Sequence, residues 1–196
     1  MNRNRIVVLV LVLFLLLLGI STYMSYNRMV DLQEKVERDW SQVQNVYQRR
    51  ADLIVNLAKV VKSYATHEQE TLRQVTEARA SATAMTVDAS NLTPEALMQF
   101  QAAQDGLSQA LGRLMVIREN YPTLKADAQY NTLMIQLEGT ENRITVERKR
   151  FNETAQTYNT AIRRFPTTII ASMFGFEKRP YFEAKTGTDV APDLDL

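Results

Sequence analysis

Thirteen consecutive apolar residues, Ile6 to Leu18, stand almost at the start of a 196-residue chain whose remainder is charged and carries helical periodicity. With Gly19, Ile20 and Ser21–Met24 added, a helix of this stretch reaches about 28 Å at ~1.5 Å per residue. That approaches the ~30 Å hydrocarbon core of a bilayer, so a single crossing by residues 6–24 is sufficient. Arg3 and Arg5 precede the run, as they would in a cleaved leader. Against cleavage, Gly19-Ile20-Ser21 is a poor processing site and the apolar run is long, which favours a retained anchor. The chain has no cysteine, so attachment by lipoprotein processing is excluded. The positive-inside count is nearly tied, because Arg28, Lys35 and Arg38 follow the anchor. The short basic leader favours an internal N-terminus and an extracytoplasmic soluble module.

Beyond the anchor, about 170 residues suffice for one domain. Twenty-three basic and 22 acidic residues leave a net charge of +1, which gives no electrostatic basis for binding nucleic acid. Without cysteine there are no thiolate nucleophiles, disulfides or Cys-type zinc sites. The single histidine, His67, cannot supply the paired Glu-x-x-His elements of a di-metal bundle. It reads as a turn or capping residue rather than a ligand. There is no Gly-x-Ser-x-Gly elbow and no Gly-rich phosphate loop. We therefore expect no catalysis, no catalytic residue, no cofactor and no metal.

Proline punctuates the rest, at positions 94, 122, 166, 180 and 192. Between the breaks, apolar residues recur at three and four, the period of an amphipathic helix. A first stripe runs Met29, Leu32, Val36, Trp40, Val43, Tyr47, Arg50, Ile54, Leu57, Val61, Tyr64, and nothing between Met24 and Met29 interrupts it. Thr66, with Gln69 three residues on, would cap a second helix carrying Leu72, Val75, Ala78 and Ala82. Thr93-Pro94-Glu95 opens a third through Leu97, Phe100, Ala103, Leu107, Leu111, Leu114 and Ile117. A fourth follows Pro122 and carries Tyr130, Met134, Leu137, Glu141, Ile144, Arg148, Phe151, Ala155, Tyr158 and Ile162. Helix lengths near 37, 21, 26 and 42 residues, uncertain by a few at each end, fit an all-α fold. The expected architecture is one transmembrane helix followed by a long antiparallel, up-and-down four-helix bundle. Fusion of the first two helices into one rod of ~60 residues would give nearly the same pairing of first and fourth. The expected organisation is thus an anchor over residues 1–24, a bundle over 25–164, an apolar C-terminal segment over 165–182 and a disordered acidic tail over 183–196.

Several ordered blocks carry a family resemblance: Arg49 to Leu57, Tyr64-Ala65-Thr66-His67-Glu68, Ala78-Arg79-Ala80, Glu119 to Ala126 and Leu137 to Ile144. Phe151-Asn152, Tyr158-Asn159, Phe165-Pro166, Phe174-Gly175-Phe176 and Tyr181-Phe182 complete the set. The chain resembles the LemA family from the anchor to Phe182. The resemblance implies a bacterial single-pass membrane protein with a helical-bundle domain and no settled activity. It also implies a gene neighbourhood of membrane proteases and envelope-stress systems. Val55 stands where family members commonly have proline, which predicts a straighter first helix here.

Two features stand out as candidate sites. Arg50, Glu141 and Arg148 fall on apolar stripes. In antiparallel register Arg50 would meet Glu138 or Glu141, and Arg148 would meet Glu34 or Glu37. Such seam charges read as register-fixing ion pairs rather than as a ligand site. The second is the cluster Phe165, Ile169, Ile170, Met173, Phe174, Phe176, Tyr181 and Phe182 at the membrane end. It could lie at the membrane surface with Lys178 and Arg179, cover a neighbouring subunit, or belong to the core. The reading that results is a scaffold or interaction protein of the bacterial cell envelope, in the inner membrane, self-associating as a homo-oligomer. The alternative is an adaptor for a membrane protease or envelope-stress system.

Overall fold

The computed structural model describes residues 3–65 and 67–183, and every regular element among them is helical, with no strand. The cap expected at Thr66, and the acidic tail beyond Glu183, lie outside the described residues. Helix α1 runs unbroken from Arg3 to Tyr64, ~93 Å at 1.5 Å per residue. The apolar run therefore continues into the soluble part without a hinge. Val55 lies within this unbroken stretch, where a proline would have removed a backbone donor. This helix is the one among the described residues long and apolar enough to cross a membrane. The side chains from Ile6 to Leu18 are all exposed, as expected of a surface that lipid would cover.

After a turn containing Ala65 and an exposed His67, α2 spans Gln69–Ala84, so the first two helices are separate. Asp88 accepts from the Ser90 amide at 2.8 Å and opens a short 3-10 turn, Ala89–Asn91. Thr93 accepts from the Ala96 amide at 3.1 Å and caps α3, Pro94–Asn120, with Pro94 where no amide donor is needed. The fourth helix is not continuous from Pro122 as expected. A single turn, α4 (Pro122–Lys125), precedes α5, Ala128–Arg163. Asp127 makes the division: its carboxylate accepts from the Tyr130 amide at 2.7 Å, an N-cap that restarts the helix.

The stripes meet where the periodicity places them. Along α1 and α5 the contacts run in opposite chain order. Tyr64 donates to Asp127 at 2.7 Å, Arg50 to Glu141 at 3.1 Å, and Thr154 to Asp39 at 2.6 Å. Helix α2 packs on α3 and on α1. The core falls into two clusters. The one nearer the anchor is aromatic, with Trp40, Tyr47, Phe100, Phe151, Tyr158 and Phe182. The farther one is mainly aliphatic, built on Ile54, Leu57, Leu107, Leu114, Leu124 and Leu137. Each such side chain removed from water contributes ~1.5–3 kcal/mol, several times the helix-propensity difference between ordinary residues, so packing holds these helices in place.

Helix α6, Thr167–Phe174, returns to lie against α1 and α5 near the anchor. It ends at Gly175, whose φ of 74° is the left-handed geometry that favours glycine; the next amide, that of Phe176, bonds back to the Ala171 carbonyl at 3.0 Å. This reversal sends residues 176–183 back along α5 as an extended strap.

Candidate interaction site

Arg50 lies between the two core clusters and links three helices. Its guanidinium donates to Glu141 Oε1 at 3.1 Å, to Ser108 Oγ at 3.1 Å, to the Gln104 carbonyl at 3.0 Å and to Gln104 Oε1 at 2.9 Å. It also lies over the Tyr47 ring, 5.0 Å from the centroid. Gln104 is itself buried and passes the connection on, donating from Nε2 to the Ala82 carbonyl at 3.3 Å. The result is one polar layer across the domain: Arg50 between Tyr47 and Ile54, Gln104 between Phe100 and Leu107, Glu141 between Leu137 and Ile144. Burial pushes the Tyr47 phenol above its ordinary range, and the Arg148 and Arg50 cations oppose that shift. Arg50 Nη1 and Nη2 and both polar ends of the Gln104 side chain are bonded within the layer, which suits a register-fixing layer better than a ligand cavity.

Of the four seam charges singled out from sequence, the structure brings Arg50 and Glu141 together. Glu138 is exposed, one turn before Glu141 on α5. Arg148 departs from expectation. Instead of facing Glu34 or Glu37, its guanidinium lies 4.6 Å from the Phe182 ring centroid and donates to the Glu183 carbonyl at 3.2 Å. The physical reason is the strap, which occupies the side of α5 that Arg148 faces and offers it an aromatic face.

The C-terminal cluster divides in two. Phe182 is core: it stacks on Trp40 at 5.9 Å and meets Phe151 edge-on at 5.6 Å. Ile170 is also buried, and Phe176 is half-buried with its ring 5.7 Å from Tyr26. Tyr181 is partly exposed, its hydroxyl accepting from Asn159 at 2.9 Å. Phe165, Ile169, Met173 and Phe174 point outward, with exposures of 81, 52, 75 and 56%.

The asparagines of the Phe151-Asn152 and Tyr158-Asn159 blocks, which carry no site role from sequence alone, hold the strap. Asn152 donates to the Phe182 carbonyl and accepts from the Phe182 amide, both at 2.9 Å. Asn159 does the same with Arg179, at 2.8 and 2.9 Å. Seven residues of helix advance ~10.5 Å and three of extended chain ~10 Å, so the two amides match two backbone sites on the strap. Their signal in the sequence is an aromatic-Asn pair repeated at that interval, Phe151-Asn152 and Tyr158-Asn159. Asp39 was also unforeseen; it is buried, salt-bridged to Arg38 at 3.0 Å and bonded to Thr154. Among the described residues, no group of three or more His, Asp or Glu side chains converges as a metal site.

The description LemA family belongs to the family model that matches residues 39–195 of this chain. Magnetosome protein MamQ of Magnetospirillum gryphiswaldense is 32% identical over 187 residues, covering 85% of this chain and 67% of that protein. Magnetosome protein MamQ 2 of Paramagnetospirillum magneticum is 30% identical over 195 residues, covering 87% and 70%.

Proposed function

The chain belongs to the LemA family, and from its geometry we propose that it is a membrane-anchored scaffold built as an antiparallel, up-and-down four-helix bundle. The observation that carries this is the continuity of α1, in which one rigid helix leaves the anchor and becomes the longest member of the bundle. A domain held this way stands as a post with little freedom to tilt. Confinement to two dimensions raises the effective concentration of neighbours, so modest lateral contacts suffice for self-association. A net charge of +1 removes the long-range repulsion that would keep the posts apart. The polar layer serves the same end by fixing helix register and thus the faces presented to a neighbour. Two similar proteins are named for the magnetosome, and a part in an assembly fits a scaffold. The short basic leader with Arg3 and Arg5 favours a bundle outside the cytoplasm, carried by an anchor in the bacterial inner membrane. No step of catalysis is assigned to it.

The second reading, an adaptor that recruits a client or protease, draws on an open groove between α1 and α2 at the end far from the anchor. Its floor is Val55, Ala58, Leu72 and Val75, with Lys59, Lys62 and Arg73 around it. Crosslinking in intact membranes, followed by mass measurement of the solubilised protein, separates the two. Subunit ladders and a defined oligomer support the scaffold. A monomer at native expression overturns self-association and leaves the adaptor.

A further inference from the structure

We propose that α6, with the turn before it, enters the bilayer leaflet nearest the bundle, so that the chain holds the membrane by two apolar elements. This inference rests on the reading of α1 as the anchor. Between Arg5 and Arg28 no residue is charged, and 22 residues of helix reach ~33 Å, which matches the hydrocarbon thickness. Helix α6 lies beside the bundle-side end of that stretch. The Phe174 ring packs edge-on against Tyr26 at 5.0 Å and shares an open apolar groove with Leu15, Leu18 and Thr22 of α1. That groove runs along α1 from Tyr26, two residues on the membrane side of Arg28, past Leu18, ten residues or ~15 Å of helix from it. A side chain at that height shares lipid with the anchor.

The faces of α6 agree with its height. From Thr167 to Phe174 it carries no charge. Ile170 and Ala171 are buried against the bundle, while Ile169 and Met173, four residues apart, form a stripe turned outward, and Phe165 is exposed on the turn before them. Other exposed apolar side chains of the soluble part, such as Met98, Ile135 and Val146, are scattered over its surface. Charges begin where the stripe stops. Arg28 and Arg164 line a groove between α1 and the end of α5, together with the hydroxyls of Thr157 and Thr160. Cations and hydroxyls at this height face the headgroup phosphates, the pattern of a helix lying in the interface. A second copy of the chain could reach this stripe only from below its own first charges, inside the same hydrocarbon. Lipid is therefore the occupant.

The absence of cysteine makes the test direct. Full-length single-cysteine variants Leu11→Cys in the anchor, Ser41→Cys on the bundle and Met173→Cys on α6 each carry a fluorophore in phosphatidylcholine–phosphatidylglycerol vesicles. All three positions are exposed, so folding is preserved. The Met173 label is expected to be quenched by acyl-chain nitroxide lipids as the Leu11 label is, and about five-fold less by aqueous iodide than the Ser41 label. Iodide quenching equal to that at Ser41 overturns the proposal. Protection from both quenchers also overturns it and assigns the stripe to a second copy of the chain. If the Leu11 label escapes lipid quenching, the anchor reading itself fails, whereas quenching at Leu11 without quenching at Met173 sinks only the α6 assignment.

Discussion

Replacing Arg50 with alanine tests the polar layer, because the structure predicts an unequal cost among its members. The Arg50 side chain is 4% exposed and Glu141 is 47% exposed. Their ion pair is therefore screened on one side and contributes at most ~1 kcal/mol. Losing Arg50 also strands Gln104 Oε1, a buried acceptor, at ~1–3 kcal/mol. The Gln104 carbonyl suffers less, since Ser108 still donates to it at 3.1 Å. Adding the lost stacking on Tyr47, worth ~0.5–1 kcal/mol, brings Arg50→Ala to about 3 kcal/mol. For a chain of this size that is a fall in Tm of roughly 6–12 °C. Glu141→Ala should cost less than ~1 kcal/mol, because Arg50 keeps its bonds to Gln104 and Ser108. The assay is thermal and denaturant unfolding of the full chain in detergent, followed by helical circular dichroism. A double-mutant cycle should give a coupling of ~1–2 kcal/mol between Arg50 and Gln104, larger than between Arg50 and Glu141. Equal losses from Arg50→Ala and Glu141→Ala would refute the reasoning, since the exposed ion pair would then carry the layer. So would an Arg50→Ala variant within ~0.5 kcal/mol of the parent.

The strap should come free when its amide partners are removed: Asn152→Leu with Asn159→Leu is expected to expose the Lys178–Arg179 region to trypsin, and unchanged digestion would argue against the pinning. Trp40 is the sole tryptophan and stacks on Phe182, so Phe182→Ala should shift its emission to the red. Acid sensitivity should involve Asp127, whose carboxyl is held below its ordinary value of 3.8 by the Tyr130 amide and then by the Tyr64 hydroxyl. A depressed folded value means its stabilisation is full above pH ~4 and lost as the pH falls through that value, so Asp127→Asn should flatten the Tm–pH profile below pH 4. A profile as steep as the parent's would contradict this.

What could be read from the chain and what could not follows from which residues obey one period. The α1 and α5 stripes are legible because apolar side chains three and four apart need a single helical period, and the same arithmetic reaches Arg50 and Glu141. Gln104 escaped because the α3 stripe reads as well through Ala103. The structure buries Gln104 and leaves Ala103 half-buried, since Arg50 needs an acceptor there. The restart at Asp127 escaped for a different reason. Pro122 already accounts for the break, and an N-cap aspartate between alanines leaves the apolar pattern undisturbed.

Arg148, Asn152 and Asn159 show the limit of a one-period reading. Opposite Glu34 or Glu37, Arg148 satisfied helix-to-helix register and charge complementarity together, yet its partners are Phe182 and Glu183, on a segment with no helical period. The docking of that segment depends on a match between two rises, ~10.5 Å for seven helical residues and ~10 Å for three extended ones. Asn152 and Asn159 take up that match through both donor and acceptor of each side-chain amide, which aspartate or leucine could not do. Once pinned, the strap sets Phe182 on Trp40 and closes the aromatic half of the core. The same pinning fixes the far end of the Gly175 reversal, so α6 has little choice of position. The polar pair on α5 thereby determines where the apolar stripe of α6 sits relative to the anchor.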